Sequence, residues 1–297
     1  MSRRFFMFVL AFLLFTLVAG QAKISMNDLK KEITDTLSHH KGNFALAFKN
    51  LFNDDELFIN EHELFHAAST MKTPVLIELF KQAYAGRFYL TDPILIKNEF
   101  RSIADSSMFS LNPADDGDTD LYKHIGQELP VSYLAYRMIT LSSNLATNLL
   151  IELVDARNVT ATMRELGAKD IQVLRGVEDN KAYDKGMNNM VTAYDLMLIF
   201  EKMAKGEIIN STVCADMIKI LLNQHFNEVI PAGLPPNVKV AHKTGSFTGV
   251  HHDSGIVFLP DGRKYVLVIL SKNLDNDETA VKAMASVSAM IYHYITQ

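Results

Sequence analysis

Strand-like sequence stands at both ends of this chain and helix-like sequence fills its middle, so any sheet it builds must draw strands from two distant regions. Asn43 to Asn50 (NFALAFKN) and Glu56 to Ile59 flank the turn-like Asn53-Asp54-Asp55 and read as a hairpin. Val238 to Ser246, Gly255 to Leu259 and Lys264 to Ser271 are short and rich in β-branched residues, with Pro260-Asp261-Gly262-Arg263 as the turn between the last two. From about His66 to Leu222 the pattern changes to long amphipathic segments, among them Val75 to Ala85, Val131 to Leu141, Leu145 to Val154 and Ala193 to Lys205. A first helix fits Ser25 to His40, where Leu29, Ile33 and Leu37 recur at helical spacing and Gly42 ends the run; Thr279 to Ile295 gives a last one. The expected fold is α/β of the α+β kind. An antiparallel five-stranded sheet (residues 23–65 and 223–297) is flanked by the N- and C-terminal helices, and an all-helical region (66–222) is inserted.

With 48% hydrophobic and 21% charged residues, a chain of this length can bury a substantial core as one large domain or two closely packed ones. A net charge of −5, with no stripe of Lys and Arg interleaved with aromatics, makes nucleic acid an unexpected partner. Residues 1–22 are organised differently. Arg3 and Arg4 precede an apolar run from Phe5 to Val18, and Ala19, Gly20 and Ala22 offer small residues for cleavage, the pattern of a signal peptide. The expectation is an exported protein, periplasmic or secreted. The apolar run is shorter than the roughly 20 residues needed to span a bilayer, so no stable membrane association is expected after cleavage. The single cysteine, Cys214, has no partner for an internal disulfide and is expected to be a buried, inert thiol.

A serine can be activated by a lysine one helical turn later, because positions i and i+3 share a helix face. Ser69-Thr70-Met71-Lys72 has that spacing, and so does a decoy, Ser38-His39-His40-Lys41. Context separates them. Ser69 follows Ala67-Ala68 and opens the apolar helix Val75 to Phe80, with Pro74 tolerable in its first turn, whereas Ser38 lies at a polar helix end. The bland reading of Ser69 is an ordinary helix N-cap. Two later motifs weigh against it: Ser142-Ser143-Asn144 between two helical segments, and Lys243-Thr244-Gly245 in the first late strand.

In this order and context, the trio resembles the S-x-x-K, S-D-N and K-T-G signature of penicillin-recognising serine enzymes, and class A β-lactamases in particular. Ile139-Thr140-Leu141 and Ala146, Asn148, Leu149 and Leu150, around the second motif, extend the resemblance, which covers essentially the whole mature chain. It implies an active site at the interface of the sheet and the helical region, and hydrolysis of a β-lactam amide through an acyl-enzyme on Ser69. Lys72 would be the base for acylation, and Ser142 would pass a proton to the lactam nitrogen. Asn144 would bind the substrate amide, and Lys243 with Thr244 or Ser246 would bind its carboxylate. The backbone N–H groups of Ser69 and Ser246 would hold the oxyanion. The implied partner is a small-molecule β-lactam acting on a monomer, with no metal and no organic cofactor.

The sequence also departs from that family's pattern. Ser143 stands where an aspartate usually braces the helix, which puts local rigidity in question. His251 and His252 stand near where an arginine commonly helps hold the carboxylate. Adjacent strand residues point to opposite faces, so at most one of them is expected to face the cleft, and no metal site is expected there. The acidic run Asp115, Asp116, Asp118 and Asp120 lacks the glycine and distal glutamate of an EF-hand and reads as a solvated loop at the cleft's edge. The fourteen methionines read as core filler.

Before Thr192, Arg175-Gly176-Val177-Glu178 offers a glutamate for the hydrolytic water. The residue four further on is Ala182 where the family has an asparagine, and Asn180 lies off that offset. A solvated loop acid stays open for Glu178. Three functions remain in view: a β-lactamase; a related serine hydrolase such as a D-alanyl peptidase or esterase; and a sensor-like binding protein that β-lactams acylate without turnover.

Overall fold

The computed structural model describes residues 24–297; the leader expected over 1–22 lies outside them. The chain opens with α1 (Met26–Ser38), the hairpin β1 (Asn43–Asn50) and β2 (Glu56–Ile59), and the short β3 (Phe65–His66). A 3₁₀ turn, Ala68–Met71, leads into α2 (Lys72–Tyr84). Short strands β4 (Pro93–Leu95), β5 (Phe100–Arg101), β6 (Met108–Phe109) and β7 (Glu128–Pro130) come next. Then follow α3 (Val131–Thr140), α4 (Asn144–Val154), α5 (Ala156–Glu165), α6 (Asn180–Asp184), β8 (Met190–Val191), α7 (Ala193–Lys205) and α8 (Ser211–Leu221). The long strands β9 (Lys239–Phe247), β10 (Val250–Phe258) and β11 (Lys264–Lys272) and the helix α9 (Asp277–Thr296) complete it.

The main sheet has the order β2-β1-β11-β10-β9, with each neighbouring pair antiparallel. Strands from the two ends of the sequence therefore meet at β1 and β11, where Asn43 pairs with Lys272 and Asn50 with Tyr265. Both are buried along nearly their whole length, because the sheet is covered on two faces. Alternate side chains go to opposite sides. Phe44, Leu46 and Phe48 of β1 and Leu267 and Ile269 of β11 pack with Leu29 and Ile33 of α1 and Met284 and Val287 of α9. Ala45, Ala47, Val266, Val268 and Leu270 join the helical side with Leu196, Ile199 and Phe200 of α7. At about 25 cal/mol per Å² of buried apolar surface, this two-sided burial is the main favourable term holding the layers.

Helix boundaries follow local chemistry. Ser25 caps α1 by accepting from Asp28 N, Thr192 caps α7 by accepting from Asp195 N, and Gly206 ends α7 in the left-handed conformation. The strand β10 starts at Val250, earlier than its apolar stretch suggested. His251 to Ser254 pair with Ser246 to Lys243, and the buried Asp253 carboxylate is held by His242 Nδ1 at 2.8 Å and by Ile230 N at 3.0 Å. Polar residues can fill a buried strand when each has such a partner. Cys214 is buried as expected, and burial pushes its thiol up.

The acidic run is not the solvated loop expected from the sequence. Asp115 and Asp120 are exposed, but Asp116 and Asp118 are 7% and 2% exposed. Asp118 is bound twice by the Arg137 guanidinium of α3, through Nε at 2.6 Å and through Nη2. Removing the cation alone leaves a buried carboxylate without its counter-charge. Arg137→Met is expected to lower the unfolding free energy by about 3 kcal/mol, and adding Asp118→Leu should restore most of it. Urea titrations of the two variants check this; a single variant within about 0.5 kcal/mol of wild type would mean that the pair carries no stability.

Candidate active site

The 3₁₀ turn that carries Ser69 is built by close approach to β9. A Cβ on Gly245 would lie 2.9 Å from Ser69 N and 3.0 Å from Thr70 N, so only glycine lets the strand back onto the turn. Ala68, just before Ser69, has a left-handed backbone (φ 44°), and Thr70 Oγ1 closes the turn by donating to Ala67 O at 2.6 Å. Ser69 is half-buried on the wall of a cleft of about 800 Å³ that Ser142, Asn144, Thr244 and Ser246 also line. Ser38, the decoy, is exposed at the end of α1, where its hydroxyl donates to Asp35 O at 2.8 Å.

Lys72 is fully buried in the first turn of α2. Its Nζ donates to Ser142 O at 2.7 Å, Ser142 Oγ at 3.1 Å and Asn144 Oδ1 at 2.9 Å, one acceptor for each ammonium proton. Burial pulls its pKa down to about 7, against the opposing pull of the Asp116 and Glu178 carboxylates. Lys243, fully buried on β9, donates to Thr244 O at 2.9 Å and to the same Ser142 Oγ at 3.1 Å. Burial first, and the charge of Lys72 second, hold Lys243 well below the usual lysine range. Ser142 sits between α3 and α4 in a left-handed backbone (φ 57°). With both lone pairs of its hydroxyl engaged by the two lysines, its proton is free for the cleft.

Asn144, the first residue of α4, accepts from Lys72 through Oδ1 and donates through Nδ2 to Glu178 Oε1 at 2.7 Å. Glu178 is therefore not a solvated loop acid. It is half-buried, its Oε2 lies 3.4 Å from Asn112 N, and burial raises its pKa. The loop that carries it is pinned by Asn148, whose side chain bonds Val177 N at 2.7 Å and Val177 O at 3.0 Å. Ala182 is fully buried on α6 and Asn180 is exposed, so neither sets a carboxamide beside Glu178.

The structure thus brings together Ser69, Lys72, Ser142, Asn144, Glu178, Lys243, Thr244 and Ser246, the last exposed at the cleft. It also brings Asp116, part of an acidic run that reads as solvated; an aspartate in a run of acidic residues carries no signal of its burial. Both histidines border the cleft, and their side chains go to different neighbours, as adjacent strand residues should. His251 Nε2 lies 3.4 Å from Asp277 Oδ2. His252, 1% exposed, donates from Nε2 to His66 O at 2.9 Å and accepts Ser271 N at Nδ1, 3.2 Å away. Burial pushes its pKa down to about 4, consistent with a neutral ring whose two nitrogens are already used.

A serine-bearing turn, two buried lysines on one serine hydroxyl and a loop carboxylate tied to Asn144 are a set of groups that can support acyl transfer with proton shuttling. The sequence profile of the beta-lactamase enzyme family matches residues 28–295. The extended-spectrum beta-lactamase PER-1 of Pseudomonas aeruginosa is 23% identical over 279 residues, which span 90% of this chain and 87% of that protein. A beta-lactamase from Sphaerobacter thermophilus superposes with a TM-score of 0.78 at 25% identity, covering 91% of this chain and 97% of its own. A PBP-A mutant solved as an acyl-enzyme complex with penicillin-G superposes at 0.77 and 26% identity, covering 91% of this chain and 97% of its own. With sequence, fold and motif order in agreement, this chain belongs to the beta-lactamase enzyme family and is an enzyme of the class A-like serine hydrolase type.

Proposed function

We propose that the chain is a serine β-lactamase that opens the lactam amide through an acyl-enzyme on Ser69. The observation that carries this reading is Ser142 Oγ held 3.1 Å from both Lys72 Nζ and Lys243 Nζ beside Ser69 in one cleft. Neutral Lys72 takes the Ser69 proton as Oγ attacks the lactam carbonyl. The N–H groups of Ser69 and Ser246 stabilise the oxyanion. Ser142 gives its proton to the departing lactam nitrogen and is reprotonated from Lys72, so the proton removed from the nucleophile reaches the leaving group. Asn144 receives the substrate's side-chain amide, and Lys243 with Thr244 or Ser246 holds its carboxylate through charge-assisted bonds. Glu178 then takes a proton from the water that cleaves the ester. The leader supports export to the periplasm or beyond, where the mature chain acts as a monomer.

A second reading, acylation with slow or no turnover, is favoured by one observation: Ala182 leaves Glu178 with Asn144 as its side-chain amide partner. One experiment separates the two. The mature protein is mixed with a penicillin while lactam absorbance and intact mass are followed together. Continuing loss of absorbance supports the lactamase; one equivalent consumed with a stable adduct supports the slow form; neither change removes both.

Ser69→Ala is expected to abolish labelling and turnover, and Ser38→Ala to change neither. Labelling that survives the first substitution or disappears in the second would assign the nucleophile wrongly. Because Lys72 must be neutral to act as base and its pKa is lowered to about 7, the acylation rate constant should climb with pH up to about 7 and level off above it. A single-turnover pH profile flat from pH 5 to 9 would exclude Lys72 from that role. Glu178→Gln should still acylate while losing about 10²- to 10⁴-fold in deacylation, so that the adduct accumulates in the mass spectrum; unchanged steady-state turnover would remove Glu178 from the mechanism.

A further inference from the structure

The four backbone N–H groups at a helix start have no partners within the helix, and α4 starts where the second motif sits. Ser143 Oγ accepts from Ala146 N at 3.3 Å, so it caps the third position. The first two positions are taken by Asp116, from the loop between β6 and β7. Its two carboxylate oxygens each lie 3.0 Å from Asn144 N, and Oδ2 accepts from Leu145 N at 2.9 Å. The same carboxylate is fixed from its own loop by Asp118 N at 3.0 Å and Tyr122 Oη at 2.9 Å. Five hydrogen-bond contacts to a group 7% exposed make a rigid clamp.

We propose that Asp116 is the positioning residue of this site, supplying from a distant loop the carboxylate that the family's second motif ordinarily holds at position 143. This rests on the acyl-enzyme reading above. The clamp sets where Asn144 begins α4, and Asn144 joins Lys72, through Oδ1, to Glu178, through Nδ2. The Asp116 segment touches the other end of that chain as well, since Asn112 N faces Glu178 Oε2. Ser143 needs no carboxylate because the helix N-terminus already has one, favourably placed against the helix dipole. The negative charge also acts on Lys72, whose other charged neighbours are Glu178 and Lys243; the titratable groups around Asp116 are Lys72, the neutral Tyr122 phenol, Asp118 and Glu178.

The test uses Asp116→Asn, Asp116→Ala and Asp116→Ala/Ser143→Asp beside wild type. Single-turnover acylation by a penicillin is measured across pH, with amide hydrogen exchange of Asn144 and Leu145. Asp116→Asn should lose about 10- to 100-fold in the acylation rate constant, the scale of an ångström-level misplacement. Its acidic limb should move to lower pH, because removing the carboxylate withdraws support from the Lys72 ammonium. A purely structural role would lower the folded fraction without moving that limb. Ser143→Asp should restore both rate and limb to Asp116→Ala. The proposal is overturned by an Asp116→Asn protein with wild-type rate, limb and exchange, or by a double variant that regains stability without regaining rate. Should Asp116→Ala not fold, the near-isosteric Asp116→Asn carries the comparison. If both unfold, the folded double variant decides by its rate, and its failure to fold also overturns the proposal. A wild type that penicillin never labels speaks against the acyl-enzyme reading; the clamp is then judged by exchange alone, where unchanged protection at Asn144 and Leu145 in Asp116→Asn overturns it.

Discussion

Two lysine side chains lie fully buried within 3.1 Å of one serine hydroxyl, and much of the surrounding structure answers to that arrangement. Burying one ammonium costs several kcal/mol even after relaxation, and a second like charge across a single oxygen adds repulsion. The pair responds as electrostatics requires: both amines are held below their ordinary range, Lys72 at about 7. The carboxylates around them limit that fall. Asp116 and Glu178 act on Lys72, and Asp253, itself held by His242 and Ile230 N, acts on Lys243. A lysine that is neutral half the time near pH 7 can accept a proton and return it, which a solvent-exposed lysine cannot do at that pH.

Such an arrangement needs rigid carriers, and the topology provides them. Lys72 rides on the first turn of a helix whose face is buried, and Lys243 on β9, a nine-residue strand at the edge of the main sheet. The edge position matters for chemistry. With β10 on one side, the other side of β9 retains backbone donors and acceptors along the cleft beside Thr244 and Ser246. Gly245 lets the Ser69 turn close against that same strand. Where the family commonly adds an arginine, this cleft has His251 facing Asp277, a pair with less net positive charge, so Lys243 is the fully buried cation on this strand beside the cleft.

The hairpin, the long helices and the late strands were legible because their periodicities reflect burial on one or two faces. The three motifs were legible because chemistry constrains their spacing. Ser142 and Lys72 could be named from sequence, yet nothing in sequence says that Lys243 reaches the same hydroxyl. That depends on how far a turn between α3 and α4 reaches toward an edge strand. The burial of Asp116 and Asp118 is hidden from the sequence for the same reason. Four aspartates in six residues look solvated unless one knows that Arg137 and the start of α4 wait opposite two of them. Glu178 was recognised by its place in the chain, while its tie to Asn144 exists only in three dimensions. The early start of β10 was hidden because His251, His252 and Asp253 are polar residues whose partners, His66 O, Ser271 and His242, come from other segments.

Of the nine non-glycine residues with a left-handed φ among the described residues, three fall in this site and six elsewhere. Ala68, Ser142 and Glu178 are non-glycine residues with left-handed φ of 44°, 57° and 60°, a conformation that costs about 1–3 kcal/mol each. Glycine would relieve that strain, but at Ser142 it would delete the hydroxyl between the lysines and at Glu178 the carboxylate on Asn144. Strained residues persist only where their surroundings over-determine them, and the hydrogen bonds show how. The Ser142 turn is held on one side by Ser143 N donating to Arg137 O at 3.2 Å and on the other by Asp116 at the start of α4. The Glu178 loop is held by both polar atoms of the Asn148 side chain. Asn148 lies one turn along α4 from Asn144, so one helix anchors both strained segments, and any movement of its first turn is felt at Lys72, Ser142 and Glu178 together.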